Sequence, residues 1–127
     1  MSFRFKRHYT RDEAQALLPE VRGWLEQLAG LRRDLDTYDQ RLTSVMAQGA
    51  DTGGNMVNTW VKTMARMQAL LLEFYRREIQ VKDLDRGLID FPALIGGKEV
   101  FLCWEQGEPH VEFWHDLDSG YAGRERI

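Results

Sequence analysis

The chain has 127 residues, 43% hydrophobic and 29% charged, with a formal net charge of −3, which is enough to bury one core and ordinary for a globular protein. Its acidic balance, with a sequence pI near 5.6, argues against a nucleic-acid binder driven by bulk charge, and its apolar runs are too short to span a bilayer. A single cysteine rules out an internal disulfide and points to a reducing cytoplasm.

Residues 1–9 are charged, with no apolar core segment or small-residue cleavage site, so no secretory signal is expected. Phe3, Phe5 and Tyr9 fall on one parity and Arg4, Lys6 and His8 on the other, with Arg7 interrupting. This is a weak strand signal, read as an edge strand or a tethered arm. Basic residues interleaved with aromatics also suit single-stranded nucleic acid, a reading the acidic total opposes.

Thr10-Arg-Asp-Glu13 is a capping box, and Asp12 adds negative charge where the helix dipole favours it. From there Ala14, Leu17, Val21, Trp24, Leu28, Leu31, Leu35, Tyr38, Leu42 and Val45 alternate in steps of three and four, a heptad seam of coiled-coil type. Pro19 lies inside it and predicts a kink near Leu18, because its ring clashes with the Gln15 carbonyl. The helix should stop by Gln48. Residues 49–55 are rich in glycine and read as a short flexible connection. They lack the Lys-Ser/Thr of a phosphate-binding loop and follow no strand. A second helix from near Asn55 carries Val57, Trp60, Met64, Met67, Leu71 and Phe74 at the same spacing, with Val61, Gln68, Leu72, Tyr75 and Ile79 as a second partial stripe. Two such helices form an antiparallel hairpin. Its wide stripe asks for a further layer, namely the C-terminal sheet, a second copy of the chain, or both.

Residues 81–87 look like a turn-rich exit. Gly96-Gly97 precedes a strand from Glu99 to Glu105, and Gln106-Gly-Glu-Pro109 turns it back into a strand from His110 to His115. Alternation then puts Val100, Leu102 and Trp104 on one face with Val111, Phe113 and His115. Phe101 and Cys103 share the other with His110, Glu112 and Trp114. The first face is expected on the helices. The second carries Phe101 and Trp114 and calls for a cover, for which a symmetry mate is the simplest candidate.

Cys103, His110 and Glu112, with Glu108 nearby, are the candidate metal ligands, since thiolate, imidazole and carboxylate together suit zinc or another borderline divalent ion. No CxxC, HxxxH or HExxH spacing supports them, and a buried cysteine is usually an inert small hydrophobe. His110-Val-Glu112 matches the HxE of zinc deaminases, but that site needs two further cysteines. A Cys103–histidine nucleophilic pair would need an exposed thiol of lowered pKa, whereas mid-strand placement predicts burial. Asp90, between Ile89 and Phe91, is either outward-facing or buried and paired, with Arg86 or Arg124 as the natural partner. Phe101, Trp114, Asp90, His115 and Arg124 are the candidate interaction surface.

Tyr9-Thr-Arg-Asp-Glu-Ala14 leading to Leu17-Leu-Pro19, then residues 81–92, Val100-Phe-Leu-Cys-Trp104, Gly107-Glu108, Phe113-Trp-His115 and Gly120-Tyr-Ala-Gly-Arg124 resemble the bacterial family named domain of unknown function 2203, over nearly the whole chain. The resemblance implies a small cytosolic protein built as a helical hairpin plus a β-rich tail. It carries over no activity and no catalytic residue. The expected architecture is α+β in one domain, 1–127, with the hairpin over 10–80 and the β-rich element over 81–127. The expected function is that of a non-enzymatic, homodimeric interaction or scaffold protein. A metal-binding module or metal-dependent enzyme using the C-terminal hairpin is the alternative, and nucleic-acid contact through the Arg4–Arg11 arm is a third reading.

Overall fold

Thr10 opens the first helix as its sequence dictates. Its hydroxyl accepts from the Glu13 amide at 3.1 Å while the Glu13 carboxylate accepts from the Thr10 amide at 3.0 Å. Helix α1 runs Arg11–Ala47 in the computed structural model, which describes residues 2–49 and 54–127. Pro19 lies within α1 on its exposed side. The helix ends at the Gln48 cap, as expected, and Gly49 turns with φ of 71°. The glycine-rich connection then passes through residues 50–53, which lie outside the described residues. Helix α2 spans Gly54–Arg76 and packs against α1. Neither helix is long and apolar enough to cross a membrane.

The antiparallel sheet has five strands in sequence order: β1 Gln80–Asp83, β2 Leu88–Ile95, β3 Lys98–Glu105, β4 Phe113–Asp116 and β5 Glu125–Arg126. The chain is therefore α+β, as its periodicities predicted. The sheet is larger than expected, however. Of residues 81–87, read as a turn-rich exit, 81–83 belong to strand β1, which pairs with β2, and 84–87 form the turn between the two strands. Only Val81 is apolar in Gln80–Asp83, because an edge strand is held by its backbone ladder and needs little apolar pattern. The first six residues of β2 are buried, so β2 shows no alternation to read. A two-residue Gly96-Gly97 turn with φ of 59° and 79° joins β2 to β3, the left-handed pair that a tight hairpin requires.

Pro92, inside β2, costs the ladder nothing. Its carbonyl accepts from the Tyr9 amide at 2.7 Å, so that residue's polar atoms point away from β3. β1 begins opposite Asp90 and does not reach it, leaving no ladder bond for the missing N–H to make.

The hairpin from β3 to β4 corrects the expected strand. β4 begins at Phe113 rather than His110. Val111 is held by α1 instead, its amide donating to Gln15 Oε1 at 2.8 Å and its carbonyl accepting from Arg11 Nε at 2.8 Å. With those groups engaged, the ladder starts later and slips by one residue. Phe101 pairs with His115, Leu102 with Trp114 and Cys103 with Phe113. A one-residue slip exchanges the faces of the whole strand. Trp114 therefore lies with Val100, Leu102 and Trp104 towards the helices and packs on the core, while His115 and Phe113 join Phe101 and Cys103 on the other face.

The core lies between the inner face of the sheet (Ile89, Phe91, Ala93, Val100, Leu102, Trp104) and the near halves of the helices, where Ala14, Leu18, Val21, Leu25, Leu28 and Phe74 are buried. Leu18 and Leu25 lie outside the heptad seam. They are buried because the sheet covers α1 from a second direction and widens its apolar stripe. Beyond Leu28 no described α1 residue is fully buried, and Leu71 of α2 is 38% exposed.

Candidate functional site

The outer face of the sheet brings together one polar residue from each of its three middle strands. Register sets Asp90 of β2 opposite Cys103 of β3, and His115 of β4 opposite Phe101, two residues along β3 on the same face. Asp90, Cys103 and His115 are all buried, and their candidate ligand atoms lie within 4.8 Å of one another. His115 Nε2 is 3.0 Å from Asp90 Oδ2, and its Nδ1 is 2.7 Å from the Asp116 carbonyl. A carbonyl only accepts, so Nδ1 carries a proton. The Nε2–Oδ2 contact then needs a second proton, which imidazole and carboxylate share, leaving the pair neutral overall. Oδ1 of Asp90 is buried without a hydrogen-bond partner, an arrangement that costs about 1–3 kcal/mol in a protein interior.

Burial raises the Asp90 carboxyl above its ordinary range, with the charge and hydrogen bond of His115 opposing. Burial also pushes the Cys103 thiol up to about 12, reinforced by the Asp90 charge and only partly offset by Arg124. A thiol so placed is protonated at neutral pH and is no nucleophile. Arg124 closes the cluster from the C-terminal side. Its guanidinium is 4.0 Å from the Phe113 ring centre and 4.1 Å from that of Tyr121. It also donates to Glu108 Oε1 at 3.0 Å, and that oxygen accepts from the Glu105 amide at 2.8 Å.

The N-terminal segment covers the other end of this face. The Phe5 ring lies 5.4 Å from that of Phe101, and Lys82 Nζ lies 4.9 Å from the Phe101 ring centre. Two carboxylates strap the segment down. Glu99 accepts from the amides of Arg4 and Phe5 and contacts His8 Nε2 at 2.8 Å. Glu78 accepts from the amides of Lys6 and Arg7. Glu78 follows α2 with φ of 58°, a left-handed conformation disfavoured for glutamate. Residues 2–9 form no strand; they are an arm tied by its backbone.

Of the ligands expected from sequence, Cys103 lies in the cluster and the others lie elsewhere. His110 is exposed in the connection between β3 and β4. Glu112 accepts from Arg126 at 3.2 Å, and Glu108 is engaged with Arg124. Among the residues expected at an interaction surface, Asp90, His115 and Phe101 are instead 2–3% exposed. Asp90 pairs with His115 rather than with Arg86, which is 3.1 Å from Glu105, or with Arg124. The pairing was hidden by the register: nothing in residues 106–112 announces that Gln15 and Arg11 delay the ladder. The one available signal was Asp90 itself, an ionisable residue in an apolar run.

Residues 7–127 match the family model described as "Uncharacterized conserved protein (DUF2203)", and the chain belongs to that family. No curated protein and no solved structure matches it.

Proposed function

We propose that this member of the domain of unknown function 2203 family is a non-enzymatic interaction protein that self-associates as a cytoplasmic homodimer through its second helix. The observation that carries the reading is a row of apolar side chains on α2 that its own chain leaves uncovered: Val57, Val61, Leu71, Leu72 and Tyr75 are 38–78% exposed. At about 100° per residue they fall, with Met64, within an arc of about 100°, to one side of the Trp60, Met67 and Phe74 edge that meets α1. A row spanning residues 57–75 is about 27 Å long. A two-fold antiparallel contact between copies sets Tyr75 of one near Val57 of the other and buries the row against itself. Coiled-coil packing between the copies fits the heptad spacing of both helices.

The burial of the thiol, imidazole and carboxylate favours a non-enzymatic reading over a catalytic one, because no substrate reaches them. The basic arm is engaged within the chain, which weighs against nucleic acid. Arg4 pairs with Asp118 at 3.4 Å, Arg7 sits 4.5 Å over the Tyr9 ring, and Arg11 donates to Val111.

Light scattering coupled to size exclusion tests the dimer. The wild type should elute at twice the chain mass at micromolar concentration. Val61→Glu with Leu72→Glu should give monomers with unchanged helical content, since exposed substitutions shift stability by only about 0.5 kcal/mol. A monomeric wild type rejects the reading.

A further inference from the structure

We propose that Asp90, Cys103 and His115 form a binding site for one divalent transition-metal ion of the zinc type, on the outer face of the sheet beneath Arg124. The ligand set is carboxylate, thiolate and imidazole, the mixed borderline combination that zinc and cobalt take. It shares only Cys103 with the ligands expected from sequence, which also included His110, Glu112 and Glu108. Each ligand comes from a different hydrogen-bonded strand, so the backbone fixes their relative positions before any ion arrives.

Several independent features of the cluster converge on a cation. The ligand atoms lie within 4.8 Å of one another. Tetrahedral zinc with bonds of about 2.0–2.3 Å holds its ligands about 3.3–3.8 Å apart, so side-chain rotation of about an ångström closes the gap. Asp90 Oδ1 is a buried lone-pair donor with no partner, in a carboxylate that is 2% exposed. His115 already has the outer contact that a metal-bound histidine needs: Nδ1–H is held by the Asp116 carbonyl at 2.7 Å, which orients the ring and leaves Nε2 facing the cluster.

The charges also balance. On binding, the proton shared by Asp90 and His115 and the proton of the Cys103 thiol leave to water. The sulfur, Nε2 and a carboxylate oxygen then each give a lone pair to the ion. Two anionic ligands and one neutral ligand offset the divalent charge, so the buried site stays neutral. Arg124 and Glu108, paired at 3.0 Å, form a neutral outer layer. The positive charge of Arg124 offsets part of the rise in the Cys103 thiol, and the same charge stabilises a metal-bound thiolate.

The test uses the full chain, stripped of metal by chelation and titrated with Co²⁺ and separately with Zn²⁺. One equivalent of Co²⁺ should bind and give the near-ultraviolet charge-transfer band of a cobalt–thiolate bond. Cys103→Ser should remove that band. Asp90→Asn should weaken Zn²⁺ binding by more than about 100-fold, beyond the 10–100-fold usual for outer-layer changes. Both replacements are close in shape to the originals, and circular dichroism verifies that each variant is folded. His110→Ala and Glu112→Gln should bind like the wild type. Uptake well below one equivalent at micromolar metal, a band that survives Cys103→Ser, or loss of binding in His110→Ala would each overturn the proposal. None of these outcomes depends on oligomeric mass, so this site and the helical dimer stand or fall separately.

Discussion

The half of the helical hairpin beside the sheet and the half beyond Leu28 share one heptad spacing and end in different states. Near the sheet, Ala14, Leu18, Val21, Leu25 and Leu28 of α1 are at most 2% exposed. Further out, Leu31, Leu35, Tyr38, Leu42 and Val45 are only partly buried. Periodicity selects which side of a helix is apolar, but a third layer decides whether that side leaves water. The far half keeps its seam partly open, and polar ties hold it at Arg32, paired with Asp85 of the β1–β2 turn at 2.7 Å, and at the Trp60 indole, which donates to Asp39 at 2.9 Å.

The sharpest way to break this contrast is to delete the same side chain in both halves. Leu28→Ala should cost about 3 kcal/mol, in the range for a fully buried leucine. Leu42→Ala should cost clearly less, about 1–2 kcal/mol, because its surface leaves water only in part. Denaturant unfolding reads both, and equal losses would mean that the far half is buried in solution, as a dimer covering it would require. Next in size is the cap. Thr10→Ala should destabilise by about 1 kcal/mol, visible as a lowered melting temperature, since it loosens α1 where the sheet grips it. Asp39→Ala, on the open arm, should cost about 0.5 kcal/mol and mainly speed amide exchange around Trp60.

The smallest effect on global stability concerns the N-terminal arm and should appear with pH. Burial alone would raise the Glu99 carboxyl, but the His8 ring and the Phe5 and Arg4 amides outweigh it and hold it below its ordinary 4.5. A lowered folded value means the arm's tether is fully present above that pH and is lost as pH falls through the folded value. Protection of the Arg4 and Phe5 amides, taken relative to the intrinsic exchange rate at each pH, should therefore fall on acidification, and Glu99→Gln should remove the step. Exchange at the intrinsic rate at every pH in the wild type would show that the arm is not held.

How much of this was legible in the residues follows from the physics of each element. The helices and the Thr10 cap could be read because their signals are local: a hydroxyl three residues before a glutamate, and a period near 3.6. β3 was legible for the same reason. β2 was not, since burial on both faces erases alternation, and Asp90 and Pro92 are explained only by His115 and Tyr9, distant in sequence. The candidate site failed on a single residue of register. Gln15 and Arg11 capture Val111 from across the molecule, the β4 ladder starts late, and His115 rather than His110 comes to lie near Cys103.

The bond from the Tyr9 amide to the Pro92 carbonyl has a further consequence. Beyond the point where β1 stops, β2 would present a bare edge ending in Leu94 and Ile95, which are 41% and 39% exposed. Such a margin is a template on which strands of other molecules can grow into fibrils. The arm occupies its beginning through the Tyr9 amide. A chain shorn of residues 2–9 should form its helices and sheet and yet precipitate on storage, which would make those residues guardians of solubility.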